Sequence, residues 1–235
     1  MTKNTLPPVI AIDGPSGSGK GTVSRRVAEA LGWHLLDSGA LYRILAWAAD
    51  EAGVSSTQPQ KLQSLARSLH VAFNQTAAGH EVIVLSGRDI TQPVRTEEYG
   101  IRASELALIP QVREGLKALQ RSFRQAPGLV ADGRDMGTVI FPDAGLKIFL
   151  TAGAEERAKR RYNQLKEKGL DATLPALFRD IAARDERDQN RAVSPLKPAP
   201  GAVLLDTTGT GIEQVVVEVL ALARMRFGMT TGSNG

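Results

Sequence analysis

The sequence predicts an α/β fold: a parallel five-stranded sheet flanked by helices, with a small antiparallel insert. Three observations predict it. Short apolar, β-branched runs alternate with segments whose apolar residues recur at helical spacing. A glycine-rich loop joins the first such run to the first helix. Between residues 54 and 95 the pattern changes to alternating runs separated by turns, as in a meander. The chain has 235 residues, 42% hydrophobic and 23% charged, which suits one large α/β domain carrying an insert with a real core to bury.

Val9 to Ile12 reads as a buried strand. Gly14-Pro15-Ser16-Gly17-Ser18-Gly19-Lys20-Gly21-Thr22 follows it, and Val23, Val27, Ala30 and Leu31 then mark a helix closed by Gly32. Strand, glycine loop, helix is the context in which G-x-x-x-x-G-K binds phosphate. The loop N–H groups and the helix N-terminus face the anion, and Lys20 reaches the β- and γ-phosphates. This places the fold among the P-loop NTPases. The hydroxyl that would meet a metal comes one residue late, at Thr22 after Gly21.

Trp33 to Leu36 is a second strand, and Asp37 begins a turn that caps a helix ending before Gly53. In the insert, Pro59 opens a short helix, Leu69 to Phe73 and Glu81 to Leu85 are strands, and Asn74 to Gly79 is the turn between them. Thr96 caps a helix to about Leu108, and Pro110 starts another with Val112, Leu116, Leu119 and Phe123 on one face. Leu129 to Asp132 and Leu146 to Leu150 are core strands. Thr151 is placed to cap a basic helix carrying Arg157, Lys159, Arg160, Arg161, Lys166 and Lys168. Thr173 restarts a helix that runs into Arg184, Asp188 and Arg191, Val203 to Leu205 is the fifth strand, and Ile212 to Arg226 is the last helix. Residues 229–235 read as a flexible tail. Ligands should sit beyond the carboxyl ends of the strands, where the P-loop, Asp37-Ser38 and Asp132 to Asp135 all fall.

Composition narrows the chemistry. There are no cysteines, so no thiolate nucleophile or cysteine metal site exists, and the three histidines are scattered. A net charge of +4 suits a polyanionic small substrate as well as a nucleic acid, but an aromatic content of 5% argues against a base-stacking platform. No run has transmembrane length and the N-terminus lacks a signal-peptide core, so a soluble, cytoplasmic protein without membrane or nucleic-acid partners is expected. Arg184, Asp188 and Arg191 share one face if their helix persists. That face is either a polar site or a solvated surface, and the basic helix over 157–168 is open to the same two readings.

The segments D-S-G-A-L-Y-R over 37–43, A-D-G-R-D-M-G-T over 131–138 and R-D-x-x-D-x-N-R-A-V-S-P-L over 184–196, together with G-K-G-T, resemble bacterial cytidylate kinases of the nucleoside monophosphate kinase family. The resemblance implies a kinase core over 1–53 and 96–228, with a helical lid at about 155–170 and the monophosphate-binding insert at 54–95. It implies transfer of a phosphoryl group from ATP to CMP, and to dCMP, with Mg²⁺, in a monomer. Lys20, Arg134 and Arg184 would be catalytic. Gly14 through Thr22, with Arg157, Arg160 and Arg161, would hold ATP. Ser38, Tyr42, Arg43, Ser104, Arg113, Asp135, Arg184, Asp188 and Arg191 would hold CMP, and Thr22 and Asp132 would serve the metal. The rival readings are another monophosphate kinase, such as a UMP/CMP kinase, and a P-loop regulatory or nucleic-acid-binding protein. The guanine-reading T/N-K-x-D motif of a GTPase switch is missing.

Overall fold

The computed structural model describes residues 6–75, 81–167, 169, 171–191 and 193–229. The elements run β1 (Val9–Asp13), α1 (Lys20–Leu31), β2 (His34–Asp37), α2 (Ser38–Glu51), α3 (Pro59–Arg67), β3 (Val71–Gln75), β4 (Glu81–Leu85), β5 (Arg88–Asp89), α4 (Thr91–Val94), α5 (Glu97–Leu106) and α6 (Pro110–Ser122). They continue with β6 (Leu129–Gly133), a π-helical turn (Met136–Ile140), β7 (Leu146–Thr151), α7 (Ala154–Glu167), α8 (Leu174–Gln189), β8 (Val203–Asp206) and α9 (Ile212–Phe227). Part of the anticipated turn after Asn74, and the tail beyond Met229, lie outside the described residues.

The chain divides into two compact units, residues 1–36 with 123–235, and residues 37–122. The first is built on a five-stranded parallel sheet in the order β2-β6-β1-β7-β8. Pairing of β1 with β6 aligns Ile12 with Asp132, and pairing with β7 aligns Ile12 with Ile148. Every residue of β1 and β6 is buried, which explains why these central strands read as continuous apolar runs. Val23 and Val27 of α1 and Val215, Val216, Val219 and Ala223 of α9 pack with Ile10, Ile12, Ile148 and Leu150 in one core. Each fully buried valine, leucine or isoleucine of this core contributes about 1.5–3 kcal/mol.

The second unit holds the antiparallel sheet β3-β4-β5. Its third strand, Arg88–Asp89, has only two residues, too few for alternation to show in the sequence. Helices α3 and α6 meet without room for a side chain at Gly115, where a Cβ would stand 2.8 Å from the Ala66 methyl and 2.9 Å from the Gln63 carbonyl oxygen. Helix α2 packs on α5, and the Asp50–Arg102 ion pair joins them.

Local signals set several helix starts. Asp37 caps α2 by accepting from the Ala40 N–H at 3.0 Å, and Thr96 caps α5 through the Tyr99 N–H. Thr151 is instead the last residue of β7, and its carbonyl accepts from the Thr207 N–H at 2.8 Å. The strand runs further than its apolar residues because β8 pairs with it through Thr151 and Asp206.

Candidate active site

The loop after β1 is shaped by glycines at two kinds of position. Gly17 and Gly19 adopt φ of +78° and +89°, where a side chain is strained. Gly14 is required by space, since a Cβ there would stand 2.0 Å from the Leu150 carbonyl oxygen of β7.

Three of the loop's carbonyls, at Pro15, Ser16 and Ser18, accept hydrogen bonds from side chains. Pro15 O accepts from Ser18 Oγ at 3.0 Å and from Lys20 Nζ at 3.2 Å. Ser16 O accepts from Arg157 Nη1 at 3.1 Å. Ser18 O accepts from Thr207 Oγ1 at 3.1 Å and from Arg160 Nη1 at 3.3 Å. A trans peptide directs its N–H opposite to its C=O. Fixing these carbonyls therefore turns the N–H groups of Ser16, Gly17 and Gly19 the other way, as an anion-binding loop requires.

The adjacent strand β6 ends on the second half of the site. Asp132 is buried, and its Oδ2 lies 3.3 Å from where a Cβ on Gly21 would be. Arg134 donates through Nε to Asp188 Oδ2 at 3.0 Å and through Nη1 to Gly133 O at 3.1 Å. Arg191 donates to the other oxygen of Asp188. Burial opposes the charge on Asp188, but the guanidinium groups of Arg134 and Arg191, with Arg184 beyond them, hold its carboxyl below the ordinary value. Helix α8 ends at Gln189, so Arg191 lies past it rather than on its face, yet it still meets Asp188.

Asp135 is buried, and its carbonyl accepts from the Val139 and Ile140 N–H groups of the π-helical turn. That turn is tied to β1, because the Asp13 carboxylate accepts from the Met136 and Gly137 N–H groups, each at 2.8 Å. Burial pushes the Asp13 carboxyl up to about 6, against the pull of the two N–H groups.

In the first unit the structure thus gathers the P-loop, Lys20, Asp132, Arg134, Asp135, Asp188 and Arg191, with Arg157 and Arg160 on the loop's carbonyl side. Thr22 is exposed in the first turn of α1, and Arg161 is half-buried on α7. A family model described as cytidylate kinase matches residues 10–225. The chain belongs to the cytidylate kinase family. A curated cytidylate kinase of Marinomonas sp. is 58% identical over 214 residues, 91% of this chain and 94% of its own. One of Pseudomonas syringae pv. tomato is 58% identical over 220 residues, covering 93% and 96%, and one of Pseudomonas aeruginosa is 57% identical over 218 residues, covering 92% and 95%.

Other residues to which the cytidylate kinase resemblance pointed lie in the second unit. Arg43 is half-buried, and its Nη1 donates to Val94 O at 3.1 Å and Thr96 O at 2.7 Å. Tyr42 beside it is half-buried, and Ser38 is buried in the first turn of α2. Ser104 is buried on α5, and its Oγ has no hydrogen-bond partner among the described residues. Arg113 is buried on α6 and donates to Ala107 O at 3.3 Å.

Sequence reasoning missed Asp13, Asp185 and Thr207. Asp13 closes the first apolar strand, and a carboxylate directly after that apolar run is the one cue the sequence held. Thr207 follows β8 with no motif around it. No helical pairing rule reveals Asp185, because the residue it pairs with is Arg157, on α7, while Asp185 itself is on α8.

Proposed function

We propose that the chain transfers the γ-phosphoryl group of ATP to CMP, and also to dCMP, giving ADP and the diphosphate. The observation that carries this reading is the ending of two neighbouring strands on complementary halves of one site. Strand β1 ends on the phosphate loop, and β6 ends on Arg134, which with Arg191 encloses the buried carboxylate of Asp188.

An oxygen of the CMP phosphate attacks the γ-phosphorus, the bond from that phosphorus to the β–γ bridging oxygen breaks, and ADP leaves with the electron pair. Such a transfer needs placement and positive charge more than covalent help. Lys20 and the loop N–H groups hold the donor phosphates. Arg134 and Arg184 neutralise charge on the moving group, with Ser38, Tyr42 and Arg43 on the acceptor phosphate. Asp188 and Arg184 lie near the ribose and phosphate of CMP, and Asp135, Arg191, Ser104 and Arg113 surround the cytosine. Arg160 and Arg161 belong to the donor side, as does Arg157 by way of the loop.

Thr22 and Asp132 would hold a Mg²⁺ ion, since Asp132 is buried with its Oδ2 3.3 Å from where a Cβ on Gly21, the residue before Thr22, would be. The described residues contain no cluster of three or more His, Asp or Glu that would cage a metal. Magnesium held by one or two protein oxygens together with substrate phosphates needs none. When bound, it would neutralise charge on the donor phosphates.

No helix among the described residues is long and apolar enough to cross a membrane, and a cytoplasmic monomer without a nucleic-acid partner completes the reading. A coupled ADP-release assay with CMP, dCMP, UMP, AMP and GMP tests it. CMP and dCMP should be the preferred acceptors. Turnover of UMP equal to that of CMP would move the assignment to a UMP/CMP kinase. Lys20→Met should keep the fold and lose about 10³-fold in turnover. A folded variant retaining more than about a tenth of wild-type turnover would remove Lys20 from the site.

A further inference from the structure

Arg157 is 4% exposed, and all three of its side-chain nitrogens are engaged. Nε donates to Ala152 O at 2.8 Å, and Nη1 donates to Ser16 O at 3.1 Å. The two terminal nitrogens grip Asp185 of α8, Nη1 to Oδ1 at 2.9 Å and Nη2 to Oδ2 at 2.5 Å. A fork-on-fork pair of this kind fixes the plane of the guanidinium as well as its position. With the plane fixed, the hydrogen bond to Ser16 O is fixed, and the rigid peptide turns the Gly17 N–H to the opposite side.

The loop needs this outside restraint. Gly17 sits at φ +78°, a region glycine enters and leaves freely. The Arg157 side chain also packs beneath it, because a Cβ on Gly17 would stand 3.1 Å from Arg157 Cβ. Arg160, one turn further along α7, holds Ser18 O jointly with Thr207, but its own carboxylate partner is Glu156 on the same helix. Asp185 is therefore what ties this part of the loop to a second helix.

We propose that Asp185 is a positioning residue for the phosphate donor. Through Arg157 it holds the Ser16–Gly17 peptide so that the Gly17 N–H faces the ATP phosphates. It touches neither nucleotide. The proposal rests on the reading of the 14–22 loop as the donor site. It also assigns Arg157 to the loop's carbonyl side instead of to direct contact with ATP.

Asp188 supplies an internal control. It lies three residues from Asp185 on α8 and holds Arg134 and Arg191. A general disturbance of α8 would weaken CMP as well as ATP. The experiment is calorimetric titration of wild type, Asp185→Asn, Asp185→Glu and Arg157→Lys with a non-hydrolysable ATP analogue and, separately, with CMP, alongside steady-state KM for each substrate. Asp185→Asn and Arg157→Lys should weaken the ATP analogue about tenfold or more, the loss expected for a charge-assisted hydrogen bond. CMP affinity should stay within about twofold of wild type, and Asp185→Glu should recover part of the loss.

Equal weakening of both nucleotides would overturn the proposal, as would unchanged ATP affinity in a variant that is merely less heat-stable. If Asp185→Asn does not fold, Arg157→Lys tests the same link, since it keeps the charge and removes the fork. Lys20→Met separates the two levels. Full turnover in that variant would sink the donor-site reading itself. Loss of turnover there, with intact ATP affinity in Asp185→Asn, would sink only the role of Asp185.

Discussion

Gly14 and the Leu150 carbonyl oxygen meet so closely that a Cβ on Gly14 would stand 2.0 Å from that oxygen. The obstructing atom belongs to the backbone of β7, which is paired with both β1 and β8 and cannot swing aside. Gly14→Ala should therefore destabilise the first unit by about 1–3 kcal/mol or more, the cost of overpacking. Urea unfolding should show a lower midpoint with an unchanged slope. Wild-type stability would mean that the loop moves to make room, and that its shape is not set by β7.

Asp135 is the candidate reader of cytosine. Cytosine presents an amine donor at C4, which a carboxylate accepts, whereas uracil presents a carbonyl oxygen there and opposes it. A site built around such a pairing rejects the wrong partner strongly. Asp135→Ala should lower kcat/KM for CMP much more than for UMP, narrowing their ratio by about tenfold or more. Asp132→Ala, which removes the acid assigned to the metal, should reduce both equally. An unchanged ratio in Asp135→Ala, or narrowing in Asp132→Ala instead, would take base reading away from Asp135.

Asp188 is fully buried between Arg134 and Arg191. Removing the carboxylate leaves two guanidinium groups without their shared counter-charge. Asp188→Ala should cost about 3–5 kcal/mol of stability, in the range for breaking a buried pair. Because the folded pKa is depressed, the stabilisation is present above the ordinary carboxylate value of 3.8 and is lost as the pH falls below it. Acid unfolding of wild type should be steep below that value and flatter in the variant. Matching acid limbs would show that Asp188 does not carry it.

Asp13 acts with the opposite sign. Its folded pKa is about 6 against 3.8 unfolded, so between these values the folded chain holds a proton the unfolded chain has released. Its contribution to stability is complete below 3.8 and is lost as the pH rises through 6. The loss amounts to something on the order of 3 kcal/mol. Asp13→Asn keeps an acceptor for one of the two N–H groups and cannot titrate. The difference in unfolding free energy between variant and wild type, followed over this interval, should shift in the variant's favour as the pH rises. A difference that stays constant would mean that Asp13 is charged throughout.

Local pattern made much of this protein legible. A buried strand, a glycine loop with Lys20 and an amphipathic helix each declare themselves within a dozen residues. So do the caps at Asp37 and Thr96, whose side chains bond to N–H groups three residues on. The central strands β1 and β6 are legible for the same reason, since strands buried on both faces are apolar without interruption.

What only the tertiary structure decided is how the charged residues are used. On α7 and α8 an arginine reads the same whether it faces water or a carboxylate, because helical spacing reports which residues share a face and not what lies opposite. Arg157 became a buried strut because Asp185 stands across from it, and Arg134 became half of an ion pair because the fold brings Asp188 to the end of β6. Asp13 holds the π-helical turn at Met136 from the neighbouring strand, a contact that exists only once β1 and β6 have paired. Burial and pairing depend on groups distant in the chain, so the sequence determined the elements and the phosphate loop, and packing assigned the charges their work.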